Sequence, residues 1–220
     1  MRHVSMSLLL AAGFLLAPAM GFAHAETETA IFAGGCFWCV ESDMDHVNGV
    51  SSTTSGYAGG TMKDPTYEDH EGYVESEKVV FDPKVISYKQ LVAHFLRTID
   101  AVDGDGQFCD RGPAYVPALF PLDAAQRKDA EAALSEAEKA LGQKLAVTIR
   151  DNTSFYDAED YHQNYYLGEN RVLSRFGYIK QKEAYEGYRE GCGRDSRVKE
   201  LWGQAAYGYP DGGTDKKPES

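Results

Sequence analysis

The chain is 220 residues long, with 22 Lys and Arg against 34 Asp and Glu, 43% hydrophobic and 25% charged residues, and four cysteines. A net charge of −12 argues against nucleic acid or an anionic membrane as a partner, because both repel an acidic surface. Four cysteines are too few to act as a disulfide scaffold in a protein of this size, so their thiols need a chemical or a burial explanation.

Arg2 and His3 precede an apolar run from Leu8 to Ala19, and Ala23-His24-Ala25 supplies a small-x-small cleavage pattern. The run is too short to span a bilayer as a stable helix. It reads as a signal peptide over residues 1–25, and its removal takes Arg2 away and leaves 21 basic against 34 acidic residues. Residues Thr29–Ala33 read as a strand running into the turn Gly34-Gly35. Phe37, Val40, Met44 and Val47 recur at helical steps, which places Cys36 at a helix N-terminus. Val50–Tyr57 and Val74–Phe81 read as strands, with a loop at Met62–Gly72 between them. Ser87 caps a helix with Leu91, Val92, Phe95, Leu96 and Ile99 on one face. Asp100–Ala114 is a long loop without periodicity, and Tyr115–Pro121 suits an edge strand.

Asp123 and Gly142 bound the clearest helix, with Ala130, Leu134, Ala137 and Leu141 as its stripe. Leu145–Arg150 follows as a strand, and helical stretches are expected around Gln163–Phe176 and Gly177–Tyr188. The expected organisation is one α+β domain over residues 26–207 and a flexible tail over residues 208–220.

Most of the chemistry is concentrated in Gly34-Gly35-Cys36-Phe37-Trp38-Cys39. A helix N-terminus stabilises a thiolate through its unpaired N–H groups and dipole, and the glycines allow close backbone approach. The Cys36–Cys39 spacing has three readings: a redox dithiol, half of a metal site, or one reactive cysteine beside a buried one. Zinc would need further ligands from Cys109, Cys192 or a histidine, and neither of those cysteines lies in a second short-spaced pair.

With this motif, the chain resembles the peptide methionine sulfoxide reductase A family. The resemblance rests on Gly35-Cys36-Phe37-Trp38-Cys39-Val40-Glu41 and continues collinearly. It runs through Thr54-Ser55-Gly56-Tyr57-Ala58-Gly59-Gly60, Pro65-Thr66-Tyr67, Val74-Glu75 and Val79-Val80-Phe81-Asp82-Pro83. Asp110-x-Gly112-x-x-Tyr115 and Ala158-Glu159-Asp160-Tyr161-His162-Gln163 complete it. It implies a two-layer α/β sandwich with a ferredoxin-like (α-β plait) core and a long, partly irregular C-terminal segment. It also implies reduction of the S-sulfoxide of methionine, free or in proteins, in the repair of oxidised proteins.

In that chemistry Cys36 attacks the sulfoxide sulfur and Glu75, held neutral by an apolar site, supplies a proton. Tyr67 and Tyr115 hydrogen-bond the oxygen, and Asp110 places a water or orients substrate. Phe37 and Trp38 hold the sulfoxide methyl, with Gly35 at the substrate site. Cys36 ends as a sulfenic acid, a second thiol closes a disulfide, and a thioredoxin-like dithiol reductant restores the enzyme.

Three features depart from the family pattern. The loop before Glu75 is short, Cys109 replaces an Asn beside Asp110, and the tail carries one cysteine, Cys192, rather than two. Cys192, between glycines that permit a mobile approach, is the expected resolving thiol, with Cys109 as the other candidate. Cys39 is the least expected resolver, because on a helix continuing from Cys36 its side chain need not face the same way, and Cys39 and Cys109 read as buried packing residues or, for Cys109, a pocket wall. His162 reads as a structural hydrogen-bonder. The expected protein is a periplasmic or secreted monomer that needs no metal or organic cofactor. The other readings are a CxxC thiol-disulfide oxidoreductase and a non-enzymatic metal- or peptide-binding module.

Overall fold

Alternation and capping set most of the elements in the computed structural model, which describes residues 27–151 and 154–208. The expected leader lies outside those residues, as does the expected tail apart from Gly208. In chain order, β1 (Glu28–Ala33) runs into α1 (Phe37–Asp45), followed by β2 (Val50–Ala58), β3 (Val74–Phe81) and α2 (Tyr88–Phe95). The minimal strands β4 (Gly106–Gln107), β5 (Asp110–Arg111) and β6 (Ala118–Leu119) precede the long α3 (Ala124–Leu141). Then come β7 (Thr148–Ile149), β8 (Phe155–Asp157), β9 (Arg171–Ser174), β10 (Gly177–Lys180), α4 (Gln181–Gly191) and α5 (Arg194–Trp202).

Six strands form one mixed sheet in the order β7-β6-β1-β3-β2-β8, antiparallel throughout except for the parallel pair β6–β7. Side chains alternate along β3, so Glu75, Glu77, Val79 and Phe81 share one face. Val79 and Phe81 join the main core with Val40 and Met44 of α1, Leu91, Val92 and Phe95 of α2, and Ala130 and Ala133 of α3. The same alternation puts the carboxyl groups of Glu75 and Glu77 in the protein interior. A second apolar cluster gathers Ile31, Ala33, Ala58, Val74, Ala118 and Phe120.

The capping signals are realised in full. Ser87 and Gln90 form a reciprocal capping box, Asp123 accepts the N–H of Gln126, and Gly142 closes α3 in the left-handed conformation at φ 68°. Three expectations are corrected. The Tyr115–Pro121 strand shrinks to Ala118–Leu119 and lies inside the sheet, because Pro117 and Pro121 flank the paired residues and leave their N–H groups free to bond. The Asp100–Ala114 loop contains the β4–β5 hairpin, turned at Phe108 with φ 52°. The helices expected over 163–176 and 177–188 give way to a 3-10 turn at Tyr165–Leu167 and the β9–β10 hairpin, with α4 starting only at Gln181. β-Branched Val172 and Ile179 pair across that hairpin, and Gly177 at φ 109° permits its turn.

Candidate active site

Cys36 is the N-cap residue of α1, and its carbonyl accepts the N–H groups of Cys39 and Val40. The preceding Gly35 has φ +83°, and a Cβ there would lie 2.5 Å from Cβ of Gln107, so only glycine fits this turn without displacing its neighbour. The turn is held from the far end of the chain. The buried Arg194 of α5 donates to the carbonyls of Gly34 and Thr98, each at 3.0 Å, and its guanidinium lies over the Phe108 ring.

Glu75 is buried, and its Oε2 accepts the N–H of Phe37 at 3.0 Å, the first N–H of the helix that Cys36 caps. Burial outweighs that bond and raises the carboxyl to about 8, with help from the nearby Asp110 charge, so it is protonated at neutral pH. Cys36, Phe37, Trp38, Tyr67, Glu75, Asp110, Tyr115 and Tyr188 line one cavity of about 130 Å³. Of the sequence-predicted residues around the thiol, Gly35 is not among these lining residues.

Burial and the neighbouring Glu75 charge push the Tyr67 and Tyr115 hydroxyls upward, which keeps them as proton donors. Tyr67 is positioned through its backbone, whose N–H donates to Glu159 Oε1, while Glu159 Oε2 accepts the hydroxyl of Tyr57. Asp110 is raised by burial although its Oδ2 accepts the hydroxyl of Tyr188. Trp38 stacks on Tyr165 with ring centroids 3.8 Å apart and donates through Nε1 to Nδ1 of His162 at 3.2 Å. Burial lowers His162 to about 4 and keeps it neutral, in keeping with its expected structural role.

The four cysteines divide into two pairs. Cys36 and Cys39 are free, buried and hydrogen-bonded to each other. The direction of Cys39, left open by the sequence, is toward Cys36: N-cap and N3 lie on the same face of a first turn, so a CxxC at this position brings the sulfurs together. Burial, that hydrogen bond and the carboxyl groups of Glu75 and Asp110 push the Cys36 thiol well up. Burial also opposes ionisation of Cys39, but the bond from Cys36 and the guanidinium groups of Arg194 and Arg189 bring it down to about 7.

Cys109 and Cys192 form a disulfide, with Cα atoms 5.2 Å apart. Cys109 is therefore neither buried packing nor a free pocket wall: it is exposed, because the β4–β5 turn points it outward toward α4. Cys192 is half-buried and follows the last residue of α4. Asp110, next to Cys109, and Tyr188, one helical turn before Cys192, meet at the cavity, so the disulfide lies beside its wall.

Sequence reading brought together Cys36, Phe37, Trp38, Tyr67, Glu75, Asp110 and Tyr115, and missed Tyr188, Tyr165, Glu159 and Arg194. Glu159 lies in a quoted motif, Ala158-Glu159-Asp160-Tyr161-His162-Gln163, but was given no role there; no short motif marks the other three, and with 14 tyrosines in the chain a single one carries no signal. Among the described residues no group of three or more His, Cys, Asp or Glu is arranged to hold a metal ion.

Taken together, the site places a thiol at a helix N-terminus, a neutral carboxylic acid beside it, two phenolic donors over it and an aromatic wall. It is equipped for nucleophilic attack by sulfur on a polar group that must take up protons. The model of the peptide methionine sulfoxide reductase family matches residues 28–200. Peptide methionine sulfoxide reductase MsrA 2 of Rhizobium meliloti is 48% identical over 196 residues, which cover 88% of this chain and 91% of that protein. A protein of the same name from Caulobacter vibrioides is 42% identical over 208 residues, covering 92% of this chain and 100% of that one. Among solved structures, the reduced form of Mxr1 from Saccharomyces cerevisiae superposes with a TM-score of 0.61 at 27% identity, covering 76% of this chain and 99% of that one. The chain belongs to the peptide methionine sulfoxide reductase family.

Proposed function

We propose that this chain reduces methionine S-sulfoxide, free or in proteins, with Cys36 as nucleophile and Glu75 as proton donor. The observation that carries this reading is the single cavity lined by Cys36, Glu75, Tyr67, Tyr115 and Asp110, in a chain of this family. Cys36 sulfur attacks the sulfoxide sulfur while Glu75 protonates the departing oxygen, on which Tyr67 and Tyr115 converge. Phe37 and Trp38 receive the methyl group by apolar contact. The oxygen leaves as water, a water molecule then attacks the Cys36 sulfur and breaks its new bond to the methionine sulfur, and methionine departs with Cys36 left as a sulfenic acid and one proton released.

In the resolving step Cys192 thiol condenses with that sulfenic acid, giving a Cys36–Cys192 disulfide and water. Cys109 thiolate then attacks the Cys192 sulfur and releases Cys36. The observed state, with Cys36 free and Cys109 bonded to Cys192, is the product such a relay would leave, and it supports these two cysteines as the resolving pair. A thioredoxin-like dithiol then reopens the pair. The antiparallel β6-β1-β3-β2 succession supports reading the core as an α-β plait. The leader pattern supports export to the periplasm or beyond.

The test is turnover of the S and R epimers of a methionine sulfoxide peptide with dithiothreitol. Turnover of the S epimer alone, abolished in Cys36→Ser, is expected. Turnover that survives Cys36→Ser would refute the assignment.

A further inference from the structure

The β9–β10 hairpin was not expected from the sequence and takes no part in the cavity. Leu173 and Tyr178 face each other across it, 87% and 64% exposed, and Phe176 at its turn is 45% exposed. A two-stranded ribbon that turns its large apolar side chains outward gains nothing from them in the free protein, and exposed apolar patches mark contact surfaces. Arg171 stacks over Tyr178 and Arg175 over Phe176. Residues 171–180 carry Arg171, Arg175 and Lys180 and no acidic residue, in a chain of net charge −12; Lys180 is ion-paired with Glu169, so Arg171 and Arg175 carry the positive face. The hairpin also reaches the disulfide: Nη2 of Arg175 lies 4.0 Å from Sγ of Cys192.

From this juxtaposition we infer that the β9–β10 hairpin is the docking surface for a dithiol reductant protein, with an apolar, acid-rimmed face around its reactive thiol, and that this thiol attacks Cys109. The inference rests on the proposed function and adds to it the surface and the sulfur. Cys109 is the more exposed residue of the pair, and Cys192 is the one whose sulfur lies beside a guanidinium. Exchange is faster when the departing thiolate is stabilised, so attack on Cys109 with Cys192 leaving toward Arg175 is the favoured direction. The partner's thiolate forms a mixed disulfide with Cys109, and the electron pair of the broken bond goes to Cys192. The partner's second thiol, deprotonated, then attacks its own bonded sulfur and releases Cys109. The partner ends as a disulfide, and Cys109 and Cys192 end as two thiols after taking up two protons.

The test uses thioredoxin with its NADPH-dependent reductase as the probe and the full chain as wild type, Leu173→Ser/Tyr178→Ser, Arg175→Met and Arg175→Lys. NADPH consumed in opening the Cys109–Cys192 bond, with no sulfoxide present, reads docking alone. Sulfoxide turnover driven by dithiothreitol reads the activity beneath it, so the two can fail separately. Losing two exposed apolar anchors is expected to raise the KM for thioredoxin about tenfold or more and leave the dithiothreitol rate within about twofold. Arg175→Met is expected to slow disulfide opening, with Lys restoring most of the rate. A thioredoxin lacking its second cysteine is expected to be trapped on Cys109, as located by peptide mass spectrometry. An unchanged thioredoxin KM, equal losses with both reductants, or trapping on Cys192 would overturn the inference.

Discussion

Glu75 owes its proposed acid role to where the β3 alternation puts it. A carboxyl ionising at 4.5 in the unfolded chain is raised by burial to about 8 in the fold, so the folded protein holds the extra proton across that interval. Stability from this group is therefore present below about 4.5 and is lost as pH rises through 8, which is a cost accepted for a neutral acid at working pH. Glu75→Gln keeps an oxygen for the Phe37 N–H and removes the proton. It is expected to lower turnover by roughly 10²–10⁴-fold, the range for a lost general acid. The wild type is expected to lose activity above about pH 8, in initial rates measured with dithiothreitol at several pH values, and Glu75→Gln should abolish that fall. The residues that carry this chemistry were legible because each sits in a short local pattern. Tyr188 and Arg194 were not, because their partners Asp110 and Gly34 lie 78 and 160 residues away in sequence.

Among the elements, α3 was the most legible and is the least involved in chemistry. Its start, stripe and stop are local physics: Asp123 satisfies one orphan N–H, and Gly142 supplies the left-handed residue that ends the helix. Asp123→Ala is expected to cost about 1 kcal/mol and to lower Tm by about 2–4 °C in a thermal melt. The C-terminal third was poorly legible for the opposite reason. Aromatic and charged residues between 161 and 188 fit both a helical and an extended reading, and the choice is made by tertiary partners. Gln181 donates from its backbone N–H to the Asn170 carbonyl and from its side chain to the Tyr161 carbonyl, tying the base of the hairpin to the chain before it. Register, rather than propensity, makes β9 and β10.

For the molecule as a whole, the Cys109–Cys192 bond joins the β4–β5 hairpin to the end of α4 across 83 residues of sequence. Closing a loop of that length restricts the unfolded chain, and opening it is expected to lower stability by about 2–4 kcal/mol. Urea unfolding of the oxidised protein and of Cys109→Ser/Cys192→Ser checks this, since midpoints that coincide would show that the bond does no stabilising work. The pairing was not legible: a cysteine in a pocket loop and one in a glycine-flanked tail give no hint that the fold brings their Cα atoms within 5.2 Å.

The placement of this bond ties the protein's endurance to its fuel. If the bond is also the outlet for oxidising equivalents, a shortage of reductant leaves the chain stapled, idle and resistant to unfolding. Abundant reductant leaves it open, active and easier for a protease to enter. Idle enzyme would then be kept as a durable reserve, while working enzyme would be the form that turns over in the cell.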